Sequence, residues 1–273
     1  MPDIQNPGSA FGEAIGASME VVLNRLLAEL VTEHSCLLIS RGQANPKTLK
    51  DTKLLLHDES GTAFNIDAVV ANSSLQPLIL VEYKYIRYTK HNRDKGSWIC
   101  FAHNVLRQRY NSVRSSIAIL AGSWSKPSLA MMKSRDVNVF LIPFSRIVSL
   151  LKPHGIQFDW GEKERHIALD AWLRYDALTA AEQLYIAEQM IEEVREPLRE
   201  LIALTLDDSV PREIDEVAVE VHTNIGELKR FEFPSVDDAL QFMEDFSFDV
   251  MFDNSSAPTL FTLPELAIDD ADE

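Results

Sequence analysis

A mixed α/β sandwich followed by an acidic helical and ββα extension is the fold class that this 273-residue sequence predicts. Three observations carry it. Over roughly residues 10–150 the chain reads as helix, three strands in succession, helix, strand, helix, strand, helix, so antiparallel hairpins feed a sheet that is then crossed by helices. The run SIAILAG (116–122) is apolar almost throughout, as in strands of a parallel sheet covered on both faces. Charge divides sharply as well. Residues 1–160 hold 18 Lys+Arg against 13 Asp+Glu, and residues 161–273 hold 8 against 29, so the net −16 splits into +5 and −21. Two domains, 1–160 and 161–273, are expected from that division.

The elements follow in order. Residues 11–33 place Ile15, Met19, Val22, Leu23, Leu26, Leu27 and Leu30 at helical spacing, one stripe facing a core. SCLLIS (35–40) reads as a short strand, and residues 53–71 as two strands around the turn Asp58-Glu59-Ser60-Gly61. Asn72-Ser73-Ser74 and Pro77 punctuate the chain before the strand LILVEYKY (78–85). A helix runs from about Ser97 to Val113, a short one over 127–134, and VNVFLIP (137–143) is a strand stopped by Pro143. SRIVSLLK is then a helix capped by Ser145 that ends near Pro153-His154-Gly155. Residues 161–205 read as helical, with a capping box from Thr179 to Glu182. Glu216–His222 and Leu228–Phe233 flank a turn, and a helix from Ser235 completes a ββα unit. Beyond Asn254 the acids and prolines predict a disordered tail.

Composition narrows the function. Two cysteines without a CxxC pattern or a close His/Cys cluster argue against a disulfide framework or a structural zinc site. The first residues lack a basic stretch followed by an apolar one, and no apolar run approaches the roughly 20 residues that span a bilayer. A cytoplasmic protein without membrane contact is therefore expected. No GxxxxGK[ST] is present, which argues against a P-loop. His91-Asn92 and His103-Asn104 lack the spacing of an HNH metal finger, and Ser145 has no GxSxG around it.

The informative stretch is LILVEYKY. Side chains on a strand alternate faces, so Leu78, Leu80, Glu82 and Lys84 share one face, which starts apolar and ends charged. A strand leaving the core into a cleft would show this pattern. Asp67 stands in an otherwise apolar stretch, Phe64 to Val70. A hairpin through 71–77 would bring it beside Glu82. Two carboxylates that close repel, and one takes up a proton unless a cation sits between them. A divalent metal fills that role, with a nearby lysine adding a second positive charge. The bland alternative is a strand-end ion pair of little energetic weight.

These residues resemble the PD-(D/E)XK nucleases, the restriction-endonuclease-like superfamily, whose motif is an acid on one strand and an acid-x-lysine triplet on the next. Asp67 and Glu82-Tyr83-Lys84 match it, over a core of helix, three strands, helix, strand (αβββαβ). Glu20, after Gly16 on the first helix, matches a glutamate found in many members. Ile66 stands where the motif's name has proline, and no QxxxY follows the triplet. The resemblance implies a Mg²⁺- or Mn²⁺-dependent endonuclease acting on DNA, plausible in restriction or defence against foreign DNA. It makes Asp67, Glu82, Lys84 and Glu20 catalytic, with Asp67, Glu82 and the carbonyl of Tyr83 as metal ligands. The alternative is a non-catalytic nucleic-acid-binding or assembly subunit that retains the nuclease fold.

Between Lys84 and Lys95 five bases stand against one acid, interleaved with tyrosines and followed by Trp98. Arg87, Lys90, Arg93, Lys95, Arg107 and Arg109 are accordingly candidate phosphate contacts. The tyrosines read either as base-stacking surfaces or as packing. For the acidic half three roles stand open: a dimerisation or partner-binding module, an element covering the basic cleft, or a solubilising appendage. The apolar stripe over Ala180–Leu204 favours a homodimer or a protein partner, and equally fits packing on the chain's own first domain.

Overall fold

Helix α1 (Pro7–Thr32) opens on two local signals, Asn6 accepting a hydrogen bond from Ser9 N at 3.2 Å and Pro7 in the first turn. They start it four residues ahead of the expected position. Its apolar stripe, from Phe11 through Leu30, is buried. This computed structural model describes residues 6–41, 53–161, 163–252 and 259–261, with His91 in backbone only. The expected acidic tail lies outside the described residues, apart from 259–261.

The chain is mixed α/β. Strands β1 (Leu37–Ile39), β4 (Ala68–Ala71), β5 (Pro77–Ile86), β6 (Ser115–Gly122) and β7 (Val137–Pro143) form a five-stranded sheet in that order. The first two pairings are antiparallel and the last two parallel. A separate two-stranded hairpin joins β2 (Leu55–His57) to β3 (Ala63–Asn65). The single strand expected over 64–70 is thus broken at Ile66-Asp67, where the chain leaves the hairpin and enters the main sheet.

Helices cover both faces of the sheet. Val81, Tyr83, Ile117 and Ile119 pack with α1, α4 (Phe144–Leu151), α5 (Arg165–Asp176) and α6 (Ala180–Leu206). On the opposite face Leu80 packs with Ala102 and Leu106 of α2 (Asn92–Arg109), while Ala118 and Leu120 meet Met132 of α3 (Lys126–Lys133). Each such buried Leu or Ile contributes about 1.5–3 kcal/mol relative to exposure. Helix α2 begins five residues before the expected Ser97. Gly96, which resembles a breaker in sequence, lies against α3, where an added Cβ would stand 3.0 Å from Met131 Cε. Helix α4 begins at Phe144 behind Pro143, so Ser145 is inside it and not its cap.

The chain divides into compact units at Asp207/Asp208, not at the 160/161 boundary expected from charge. Ile186, Met190, Ile191, Val194, Leu198 and Ile202 of α6 are buried in the core shared with α1. The apolar stripe that suggested an intermolecular interface therefore completes unit 1, with Arg25 and Glu188 paired at its edge at 3.1 Å. Drawn at the structural boundary, charge separates more completely. Residues 1–207 hold 23 Lys+Arg and 24 Asp+Glu, and residues 208–273 hold 3 and 18.

Unit 2 is a ββα module: β8 (Val217–His222) and β9 (Leu228–Phe233) pair antiparallel, followed by α7 (Val236–Glu244) and the short α8 (Phe248–Met251). Phe231, Phe233 and Phe242 form its aromatic cluster, with ring centroids 4.6–4.9 Å apart. Among the described residues no helix is long and apolar enough to cross a membrane.

Candidate functional site

The switch between sheets places Asp67. Ile66 N still bonds to Leu54 O at 3.0 Å, while Ala68 is already in register with Val81. Asp67 sits between, where the β4–β5 ladder ends, and its Oδ2 accepts Tyr83 N–H at 2.9 Å. A side chain thus satisfies a backbone donor that the strand no longer reaches.

Alternation along β5 then sorts the side chains as the sequence predicts. Glu82 and Lys84 point to the α2 face, and Tyr83 to the α1 face, where its hydroxyl donates to Asn24 Oδ1 at 3.0 Å. Lys84 Nζ donates to Asp67 Oδ2 at 2.6 Å and also to Glu82 Oε2. The three are unequally exposed: 24% for Lys84, 21% for Asp67 and none for Glu82. Glu82 Oε1 is buried without a hydrogen-bond partner.

Charge in this cluster follows burial. Burial pushes the Glu82 carboxyl up to about 8, against the opposing pull of Lys84. Burial also works against the Lys84 ammonium, yet Glu82 and Asp67 outweigh it and hold the proton more firmly than usual. The ion pair is therefore principally Lys84 with Asp67, beside a carboxyl kept neutral near pH 7 when no other cation is present. Glu20 lines the same cavity as Asp67, and its carboxyl is raised, first by partial burial and then by the Asp67 charge. His103 on α2 is 1% exposed with both ring nitrogens unpartnered. Burial and the Lys84 and Arg107 charges push it down to about 3, so it stays neutral.

A neutral Glu82 in the folded state makes stability pH-dependent. The folded chain holds this proton between the ordinary carboxyl value of 4.5 and about 8, where the unfolded chain has released it. In EDTA, the urea midpoint is expected to be highest below pH 4.5 as far as this group is concerned and to fall as pH rises to about 8. Glu82→Gln, which cannot titrate, should flatten that fall. An equal slope in the variant would assign it to other groups.

The donor set suits a hard cation. Two carboxylates and the Tyr83 carbonyl, just past the end of the β4 ladder, offer oxygen ligands, and Glu82 Oε1 is an orphan acceptor of the kind a cation satisfies. Among the described residues no three His, Cys, Asp or Glu side chains are grouped for a metal. The protein's share would thus be small and water would complete the shell, as Mg²⁺ prefers.

The expected phosphate contacts separate into two classes. Lys90, Arg93 and Lys95 are exposed, at the start of α2 or just before it, with Lys90 and Lys95 lining cavities beside the cluster. Arg107 is half-buried, and Arg109 donates to Asp58 O at 2.5 Å. Arg87 is built into the protein. Its guanidinium donates to Phe158 O at 2.5 Å and Trp160 O at 2.8 Å, and lies 3.7 Å from the Trp160 ring centroid. Two of its N–H groups thus serve the backbone, which gives Arg87 a structural role, while it also lines the cavity that holds Glu20 and Asp67.

Sequence reasoning missed Lys163 and Arg165, which lie in the acidic half of the chain yet line the same 980 Å³ cavity as Glu20 and Asp67. Only the packing of α5 against α1 brings them there, so no local signal marked them.

No known family model matches the chain, and no curated protein is significantly similar to it. Among solved structures, the chain is similar at 12% identity and a TM-score of 0.31 to the crystal structure of AF1548, titled a protein of unknown function, over 65% of this chain and 99% of that one.

Proposed function

We propose that the chain is a Mg²⁺-dependent (or Mn²⁺-dependent) endonuclease that hydrolyses DNA phosphodiester bonds on a restriction-endonuclease-like core. The observation that carries this reading is the cluster where the β4–β5 ladder ends: one ammonium shared by Asp67 and a fully buried Glu82 whose second oxygen has no partner. A desolvated carboxyl left unsatisfied is costly to the fold, and such costs concentrate at functional sites. The chain order also fits. Leaving aside the β2–β3 hairpin, α1 is followed by three strands of the main sheet, then α2 and β6.

In this reading Asp67, Glu82 and the Tyr83 carbonyl would hold the cation, and Glu20 of α1 lines the cavity that Asp67 also lines. Bound Mg²⁺ supplies neutralisation of phosphate charge and a water of lowered pKa. Lys84 donates its hydrogen bonds to a phosphate oxygen or to the attacking water, and so stabilises charge that grows in the transition state. The buried floor formed by Glu82 and His103 excludes bulk water from beneath the reacting phosphate. Lys90, Arg93, Lys95 and Arg107 position the DNA backbone. With α6 buried in unit 1, we assign self-association or a protein partner to unit 2. A role in restriction or defence rests on the analogy of fold alone.

The test is cleavage of supercoiled plasmid by wild type and Asp67→Asn in Mg²⁺, Mn²⁺ and EDTA. Nicked or linear products are expected from wild type only, and none in EDTA. Intact plasmid under all conditions, together with salt-sensitive DNA binding, would instead indicate a non-catalytic nucleic-acid-binding subunit.

A further inference from the structure

The Asp67–Lys84 pair stands between two depressions of different chemistry. On the α1 side is the cavity of about 980 Å³, lined by the acids Glu13, Glu20 and Asp67 and by the bases Arg87, Lys90, Lys163 and Arg165. Along its helical wall Gly8, Gly12 and Gly16 recur every fourth residue of α1, and Gly12 lets the Tyr85 ring pack so close that an added Cβ would stand 2.9 Å from it. On the α2 side a cavity of about 480 Å³ is lined by Asn65, Lys84, Asp94, Lys95 and Trp98.

Trp98 is out of place as a core residue. Its neighbours Ile99 and Ala102 are fully buried, whereas Trp98 is 37% exposed and its ring centroid lies 6.0 Å from Lys84 Nζ. Tryptophan has more apolar area to hide than any other side chain, and here over a third of it stays in solvent within cation–π reach of an ammonium, a ready platform for a flat partner. A nucleic-acid base is such a partner. Base-on-aromatic stacking is worth about 1–3 kcal/mol per base and suits any base, since each has a π-face. In a duplex both faces of each base are already covered by neighbours, and freeing one costs a few kcal/mol. A single strand avoids most of that cost.

We propose that the DNA engaged by this site is single-stranded or locally unpaired, with one base stacked on Trp98 and adjacent phosphates held along Lys90, Lys163 and Arg165. This rests on the nuclease reading for the nature of the ligand and adds the strand class. The Asp67–Lys84 pair between the two depressions then meets the phosphate that joins the stacked nucleotide to the next. Negative supercoiling favours opening of the duplex, so nicking ahead of linearisation is the plasmid product consistent with it.

The experiment is fluorescence anisotropy with a fluorescein-labelled DNA oligonucleotide, alone or annealed to its complement, titrated with the full chain in EDTA so that no cleavage occurs. The single strand is expected to bind on the order of 10-fold tighter or more. Trp98→Ala should weaken single-strand binding about 5- to 150-fold, the loss of one stacked base, while Trp98→Phe retains most of it. The double variant Lys163→Glu/Arg165→Glu should weaken it further. A duplex that binds as tightly as the single strand, an unchanged Trp98→Ala, or no binding of either by wild type would each overturn the proposal. Duplex preference with Mg²⁺-dependent plasmid cleavage would remove the strand class and leave hydrolysis standing. Trp98-dependent single-strand binding with no cleavage would do the reverse.

Discussion

Replacing Lys84 with alanine is expected to lower plasmid cleavage in Mg²⁺ by about 10²–10³-fold, the usual cost of removing one group aimed at transition-state charge. The same change leaves Asp67 and the buried Glu82 facing each other without the ammonium that joins them. The pair is only partly buried, and losing a hydrogen bond to a charged group costs about 1.5–3 kcal/mol, so the variant should also be less stable in EDTA. Added Mg²⁺ separates the two consequences. A ligand that binds only the folded state stabilises it, and a site relieved of its internal cation should gain more from Mg²⁺. Thermal unfolding of Lys84→Ala is therefore expected to shift upward with Mg²⁺ by more than wild type, while cleavage stays lost. Wild-type cleavage by the variant would remove Lys84 from the chemistry. A lost activity with no enhanced response to Mg²⁺ would mean that the carboxylates do not hold the cation.

The second large effect belongs to Arg87, and it concerns stability. Its two charge-assisted hydrogen bonds tie the end of β5 to the backbone at Phe158 and Trp160, and its plane lies against aromatic rings. Hydrogen bonds from a charged donor contribute about 1.5–3 kcal/mol each. Arg87→Ala should therefore lose about 3 kcal/mol or more, read as a lower urea midpoint at unchanged slope. Arg87→Lys should recover only part, because a single ammonium lacks the planar fork that serves two carbonyls and stacks at once. DNA affinity of the folded variant is expected to be unchanged. Weaker DNA binding with wild-type stability would return Arg87 to the phosphate contacts.

Arg87 also marks where sequence reading ends. A base in a run of bases resembles a phosphate ligand, and nothing in the run shows that Phe158 and Trp160, more than 70 residues away, stand opposite it. Glu82 and Lys84 were legible for the contrary reason: strand alternation is local, and a face passing from leucine to carboxylate to ammonium is visible within one element. Asp67 was found by its apolar setting, but its location at a change of sheets was not, because only Ile66 and Asp67 separate β3 from β4 and neither a Gly nor a Pro marks the break. Helix α6 shows a further limit. An amphipathic stripe states that a face is covered and not by what, so packing against α1 and packing against another molecule look alike. Lys163 and Arg165 were hidden by their surroundings, since charge averaged over the acidic half concealed two bases that the fold carries to the opposite side of the ledger.

The concentration of charge in residues 208–273 alters how ionic strength should act on the whole chain. Unit 1 is nearly neutral, while unit 2 carries almost all of the net −16. At low salt that excess repels a polyanion over a Debye length of roughly 30 Å at 0.01 M, shrinking to about 8 Å under physiological conditions. Counterion release at the basic cavity acts in the opposite sense and weakens binding as salt rises. On the proposed nuclease reading the two effects oppose each other, so DNA affinity is expected to fall less steeply with salt than the bases of the cavity alone would give. Removing residues 208–273 would then steepen that fall, which makes the charge of unit 2 a brake on the salt response.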